Sequence, residues 1–210
     1  MPRRTLLIFA NGIMNNPGSA HGWTDRAVTW VQTNTDFAAE KFEYFAGPLT
    51  RRLSLGRHAR DLADLVRAYW DWHVHVVAHS NGCEIAVRAV RELAGKPLAG
   101  LVFLSPACDG RMDANGLNGA LDSAAVGRLE VLRGGSDRAG WWAAASRILT
   151  LGLLGYGTMM RTGPVGVAPE VAHKVTDVCV PDWGHSTMME SAHFGAMMAG
   201  IVRGAEAPKR

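Results

Sequence analysis

The run Val74-His75-Val76-Val77-Ala78-His79-Ser80-Asn81-Gly82 changes character at its seventh residue. Up to His79 it is a short, β-branched stretch of the kind that forms a buried strand. Beyond Ser80 it passes at once into Cys83-Glu84-Ile85-Ala86-Val87-Arg88-Ala89-Val90, which reads as a helix. A serine at a tight strand-to-helix turn is lifted clear of the sheet, the geometry of a nucleophile elbow. Ala78 and Gly82, two residues to either side, are small enough for the strand and helix backbones to approach closely. The helix N-terminus adds a field that favours developing negative charge. The commoner pattern is Gly-x-Ser-x-Gly. Ala78, the smallest residue with a Cβ, stands at its first glycine.

Working outward, apolar runs alternate with helical patterns. Strands are expected at Thr5–Ala10, Glu40–Phe45, Val74–His79, Gly100–Leu104, Arg128–Arg133 and Lys174–Val180. Helices are expected at Trp23–Val31, Arg57–Trp70, Asn81–Ala94 and Ser186–Val202. Leu62, Leu65, Val66 and Tyr69 give the second helix its apolar stripe. Strands separated by helices build βαβ units. The expected architecture is therefore a three-layer α/β/α sandwich around a mainly parallel sheet of about six strands, in a single domain over residues 1–210. Asp109–Val126 reads as loop plus a short helix. Leu151–Ala168 is apolar and Gly-rich, either a flap over a pocket or a packed connection.

The 210 residues are enough to bury a substantial core. A hydrophobic content of 48% with 20% charged residues is that of an ordinary globular chain. The net charge of +3, from 22 Lys+Arg against 19 Asp+Glu, is too balanced to point to nucleic acid. Cys83, Cys108 and Cys179 show no metal-like spacing. They read as buried reduced thiols, which favours a cytoplasmic protein. The apolar part of the N-terminus, Leu6 to Ala10, is shorter than the ~7–15 residues of a signal-peptide core, and no run approaches a transmembrane length.

A serine nucleophile needs a base, a carboxylate that orients the base, and two N–H donors for the oxyanion. In an open parallel sheet these gather beyond the carboxyl ends of the strands. His185, in Val180-Pro181-Asp182-Trp183-Gly184-His185-Ser186, follows the last strand and is the candidate base. Asp137, at the end of Arg133-Gly134-Gly135-Ser136-Asp137, follows the penultimate strand and is the favoured acid. Asp109, beyond the strand before that, is the alternative. The bland reading of either Asp is a helix cap or an Asx turn. One oxyanion donor is expected to be the backbone N–H of Asn81. The other comes from the first strand–helix loop, Ala10-Asn11-Gly12-Ile13, where Gly12 permits an unusual backbone.

Taken together, these motifs resemble the α/β-hydrolase superfamily over roughly Thr5 to Val202. The order Ser80, Asp137, His185 is that family's order. Small bacterial lipases of this fold share the Ala-His-Ser-x-Gly elbow and a His-Gly-Ile oxyanion loop. The matching letters here are Asn11-Gly12-Ile13, and Asn11 is a departure. The resemblance implies a minimal α/β-hydrolase fold and gives Ile13 the second donor role. It implies a serine esterase or lipase-like enzyme acting on small-molecule or lipid-like esters, with no cofactor. A thioesterase, an amidase and an acyltransferase would use the same triad. A non-catalytic binding protein of this fold is the alternative outside enzymes, although such proteins usually lack a triad member.

Other residues carry weaker readings. Asn11 and Gly12 would border the substrate. Trp141 and Trp142 would either line a substrate pocket or pack in the usual way. His73, His75 and His79 share one strand face, but His73 and His79 would lie ~20 Å apart at ~3.3 Å per residue, too far for one metal ion. No metal is expected, and His79 is assigned to steadying the elbow. Met188, Met189, Met197 and Met198 have helical spacing and belong to a core.

Overall fold

The alternation of β1, Thr5–Ala10, sets the layers. Leu6, Ile8 and Ala10 turn to one face, Leu7 and Phe9 to the other, and each face has its own apolar cluster. The structure, a computed structural model, describes residues 4–12, 22–45, 51–93, 95–137 and 157–206. Over them run α1 (Trp23–Asn34), β2 (Ala38–Phe42), α2 (Arg51–Ala68), β3 (His73–His79) and α3 (Asn81–Glu92). There follow β4 (Gly100–Leu104), α4 (Leu117–Asp122), β5 (Leu129–Gly134), α5 (Met159–Thr162), β6 (Val175–Val180) and α6 (Ser191–Glu206).

All six strands are parallel, in the order β2-β1-β3-β4-β5-β6. Leu6, Ile8, Val74, Val76, Leu101 and Phe103 pack under Leu62 and Val66 of α2 and Ile85 of α3. Leu7, Phe9, Val77, Val102 and Leu104 pack under Trp23, Ala27 and Val31 of α1 and Met197, Met198 and Ile201 of α6. The sheet is thus covered on both faces, the three-layer sandwich that near-continuous apolar strands demand. The chain leaves β1 toward β2, then returns across β1 to β3. That reversal, with α1 and α2 on opposite faces, opens a crevice beyond the carboxyl ends of β1 and β3, the usual ligand position in such sheets.

Several boundaries differ from the sequence expectation. β2 is Ala38–Phe42 rather than Glu40–Phe45, because Tyr44 leaves the ladder to donate its hydroxyl to Asn11 O at 2.5 Å. α2 begins at Arg51 rather than Arg57. Gly56, which interrupts the apolar pattern, has open space where a Cβ would stand. Ser186 opens a 3-10 turn over Thr187–Met189, and α6 starts only at Ser191, after an extended Glu190. Cys83 and Cys108 are buried, but Cys179 is exposed, because β6 is an edge strand with Thr176, Asp177 and Val178 also exposed.

Candidate active site

Ser80 follows β3 directly and takes φ 52° and ψ −119°. Side chains rarely adopt this left-handed region, and holding a serine there costs about 1–3 kcal/mol unless neighbours fix it. Neighbouring backbone groups hold it there. Ser80 N donates to Leu104 O at 3.0 Å, and Ser80 O accepts from Cys83 N at 3.2 Å and Ala107 N at 3.0 Å. The close approach also explains two glycines. A Cβ on Gly82 would lie 2.4 Å from Asn11 O, and one on Gly12 would lie 3.0 Å from Ser80 Cβ. The carboxyl end of β1 therefore lies directly against the elbow.

On the other side, the loop after β5 is strapped to the loop after β6. Gly135 N donates to Val180 O at 2.8 Å, Ser136 N to Trp183 O at 3.1 Å, and Ser136 Oγ to Pro181 O at 2.9 Å. A Cβ on Gly134 would fall 2.0 Å from Trp183 O, and one on Gly135 would fall 2.8 Å from Pro181 Cα. The paired glycines are what allow the two loops to lie backbone to backbone. The straps bring His185 Nδ1 to 2.8 Å from Asp137 Oδ2. The Asp137 side chain is 2% exposed and that of His185 26%. With Nδ1–H donated to the carboxylate, the lone pair of the ring is left on Nε2, the tautomer a general base requires.

His79 joins the two halves. Its ring centroid is 4.8 Å from that of His185, and its Nε2 lies 3.3 Å from His185 O. Trp23 meets it edge-on at 6.3 Å. Burial, helped by the neighbouring His185, pushes the His79 imidazole down to about 3, so it is neutral at physiological pH. It can then donate Nε2–H to the His185 carbonyl. Among the described residues, Ser80 Oγ and His185 share no hydrogen bond. Such bonds commonly close only with substrate bound.

Asn81 opens α3 next to Ser80, which places its backbone N–H in the first helical turn. Its side chain donates to Tyr44 Oη at 3.5 Å, and Asn11 Nδ2 donates to Thr24 Oγ1 at 3.4 Å. Asn11, Tyr44 and Asn81 thus tie the β1 loop to the elbow. Ile13, Trp141 and Trp142 lie outside the described residues.

No family model and no curated protein matches this sequence. Solved structures do. Alpha/beta hydrolase domain-containing protein 10 from mouse matches at TM-score 0.58 and 14% identity, over 94% of this chain and 88% of its own. A Bacillus licheniformis lipase in its mature form gives 0.58 and 12%, over 96% and 93%. A putative hydrolase from Agrobacterium vitis gives 0.61 and 15%, over 97% and 88%.

The chain has the α/β-hydrolase fold.

Within this α/β-hydrolase fold the remaining candidates fall as follows. Asp109 does not meet His185. Its carboxylate is occupied by Arg111, with Nη2 at 3.1 Å and the backbone N at 3.0 Å. Residues 157–168 are hydrogen-bonded to the segment that follows β4. Gly157 N donates to Ala107 O at 2.9 Å, Val165 N to Gly110 O at 2.7 Å, and Asn118 Nδ2 to Gly166 O at 2.8 Å. Residues 151–156 lie outside the described set. Among the described residues no group of three or more His, Cys, Asp or Glu could hold a metal ion, and no helix is long and apolar enough to cross a membrane. The sequence reading missed the contact of His79 with His185 and the role of Tyr44. The first was detectable only as a second imidazole beside Ser80; the second left no signal.

Proposed function

We propose that this protein is a serine hydrolase that cleaves carboxylic esters through an acyl-enzyme on Ser80. The observation that carries the proposal is the 2.8 Å contact between His185 Nδ1 and the buried Asp137 carboxylate, reached from the same end of the sheet as the strained Ser80. Ser80 Oγ attacks the ester carbonyl as His185 Nε2 takes its proton. Asp137 holds the tautomer and balances the imidazolium. The N–H groups of Asn81 and Ile13 receive the oxyanion, which collapses as His185 returns the proton to the departing alcohol. Water, activated by the same imidazole, then attacks the acyl-enzyme and frees the carboxylic acid. In this reading Asn11 and Gly12 border the substrate, and Trp141 and Trp142 are the candidates for lining the rest of its pocket. Small or medium soluble esters, or an accessible acyl group on a larger molecule, suit a chain of this size. Three free cysteines fit a cytoplasmic protein.

The test is a fluorophosphonate probe, which labels only activated serines, followed by chromogenic esters, thioesters and anilides of increasing acyl length. Wild type should be labelled and should turn over the esters fastest, while Ser80→Ala should show neither property. Full ester turnover by Ser80→Ala would sink the proposal, and faster turnover of thioesters or anilides would reassign the leaving group.

A further inference from the structure

We infer that His79 is a positioning residue for the base: its Nε2–H holds the main chain of His185 while its ring forms the wall against which the His185 imidazole is set. The inference rests on the hydrolase reading above and adds a fourth side chain to it. His79 is the residue before Ser80, so the last residue of β3 fixes both partners of the proton transfer: Ser80 through the covalent chain and His185 through space. The ring planes of the two histidines meet at 49°, with centroids 4.8 Å apart, so the two rings are in direct contact. Behind His79 stands Trp23, edge-on at 79°, and behind Trp23 stands Phe9, edge-on at 89° and 5.8 Å. The row Phe9–Trp23–His79–His185 therefore backs the candidate base onto the core of the sheet.

Hydrogen bonding fixes the direction. A backbone carbonyl only accepts, so His79 Nε2, 3.3 Å from His185 O, must carry the proton. The His79 Nδ1 side looks toward Gly12, where a Cβ would come within 3.4 Å of it. The ionisable groups acting on His79 are His185 and Asp137 from the two strapped loops; Trp23 on α1 and Gly12 on the β1 loop are uncharged. A neutral wall is the required one, since His185 becomes an imidazolium during acyl transfer and a second cation beside it would oppose that step.

The experiment compares wild type, His79→Gln, His79→Asn and His79→Leu by the second-order rate of fluorophosphonate labelling across pH 5–9. The Gln amide reaches the place of Nε2–H, the Asn amide falls short of it, and Leu fills the wall without a donor. His79→Leu and His79→Asn should lose about 10- to 100-fold in rate, the usual effect of an ångström of misplacement. Their acid limb should move to a different midpoint from wild type, because His185 sits less firmly against Asp137. His79→Gln should recover most of the rate and keep the wild-type midpoint. Equal losses in all three variants with an unmoved midpoint would reduce His79 to packing and overturn the inference. So would a wild-type rate in folded His79→Leu. If folded wild type is not labelled at all, the hydrolase reading fails, and this inference with it.

Discussion

Lowering the pH from 7 to 5 should cost the wild type about 2 kcal/mol of stability through His79 alone. The imidazole is held near 3 in the folded protein against 6.5 in the open chain. Above pH 6.5 both states are neutral at this position and nothing changes. Below 6.5 the unfolded chain takes up a proton that the folded one refuses until about pH 3, so stability falls as pH falls through that window. Each pH unit fully inside it is worth about 1.4 kcal/mol, and the span from 7 to 5 includes roughly one and a half such units. The assay is urea unfolding of wild type and His79→Gln at pH 8, 7, 6 and 5. Other carboxylates and histidines titrate equally in both proteins, so the difference between the two free energies isolates His79. That difference should be flat from pH 8 to 7 and then shift by about 2 kcal/mol in favour of Gln by pH 5. A difference independent of pH would show that His79 ionises freely in the folded state, and the argument for a buried neutral wall would be wrong.

Three further outcomes follow from the geometry. Asp137→Asn should leave the fold intact and lower ester turnover on the order of 10⁴-fold, as in other serine triads, measured as kcat/KM. Gly134→Ala places a Cβ 2.0 Å from Trp183 O; the base loop must retreat by roughly an ångström, which should slow fluorophosphonate labelling by about 100-fold even where the variant remains folded by circular dichroism. Lys96 is buried with Nζ donating to Trp72 O at 2.8 Å and Trp70 O at 2.5 Å. Lys96→Met should therefore destabilise by about 2 kcal/mol in urea unfolding, with activity unchanged at temperatures well below the midpoint.

The parallel sheet was legible because every strand buried on both faces writes a near-continuous apolar run, as Leu6–Ala10 and Leu101–Leu104 do. The elbow was legible because a serine between a strand and a helix needs small flanking residues, and Gly82 meets Asn11 O as that requires. The candidate acid and base were picked by order along the chain, and it is Asp137, not Asp109, that lies against His185. Boundaries were less legible where one side chain overrides a pattern. Tyr44 continues the aromatic run of β2 in sequence but leaves it for a hydrogen bond to Asn11. Cys179 looks like a core thiol until the strand order makes β6 an edge. Lys96 would be placed on the surface by its charge, yet two carbonyls beyond α2 bury it. Contacts between segments far apart in sequence, such as His79 with His185, have no periodicity to announce them.

Among the described residues β6 pairs with β5 and no other strand. The candidate nucleophile directly follows the central strand β3, whereas the candidate base lies in the loop after this edge strand. Foldedness and competence are then separate quantities. An edge strand opens at a lower free energy than the interior of its sheet. Were β6 to fray, the molecule would remain folded around Ser80 while the candidate base was carried away from it. Under the proposed function, such a state would be silent to any probe of the core and visible only as missing activity. It would return to work when six residues re-pair, with no refolding of the domain.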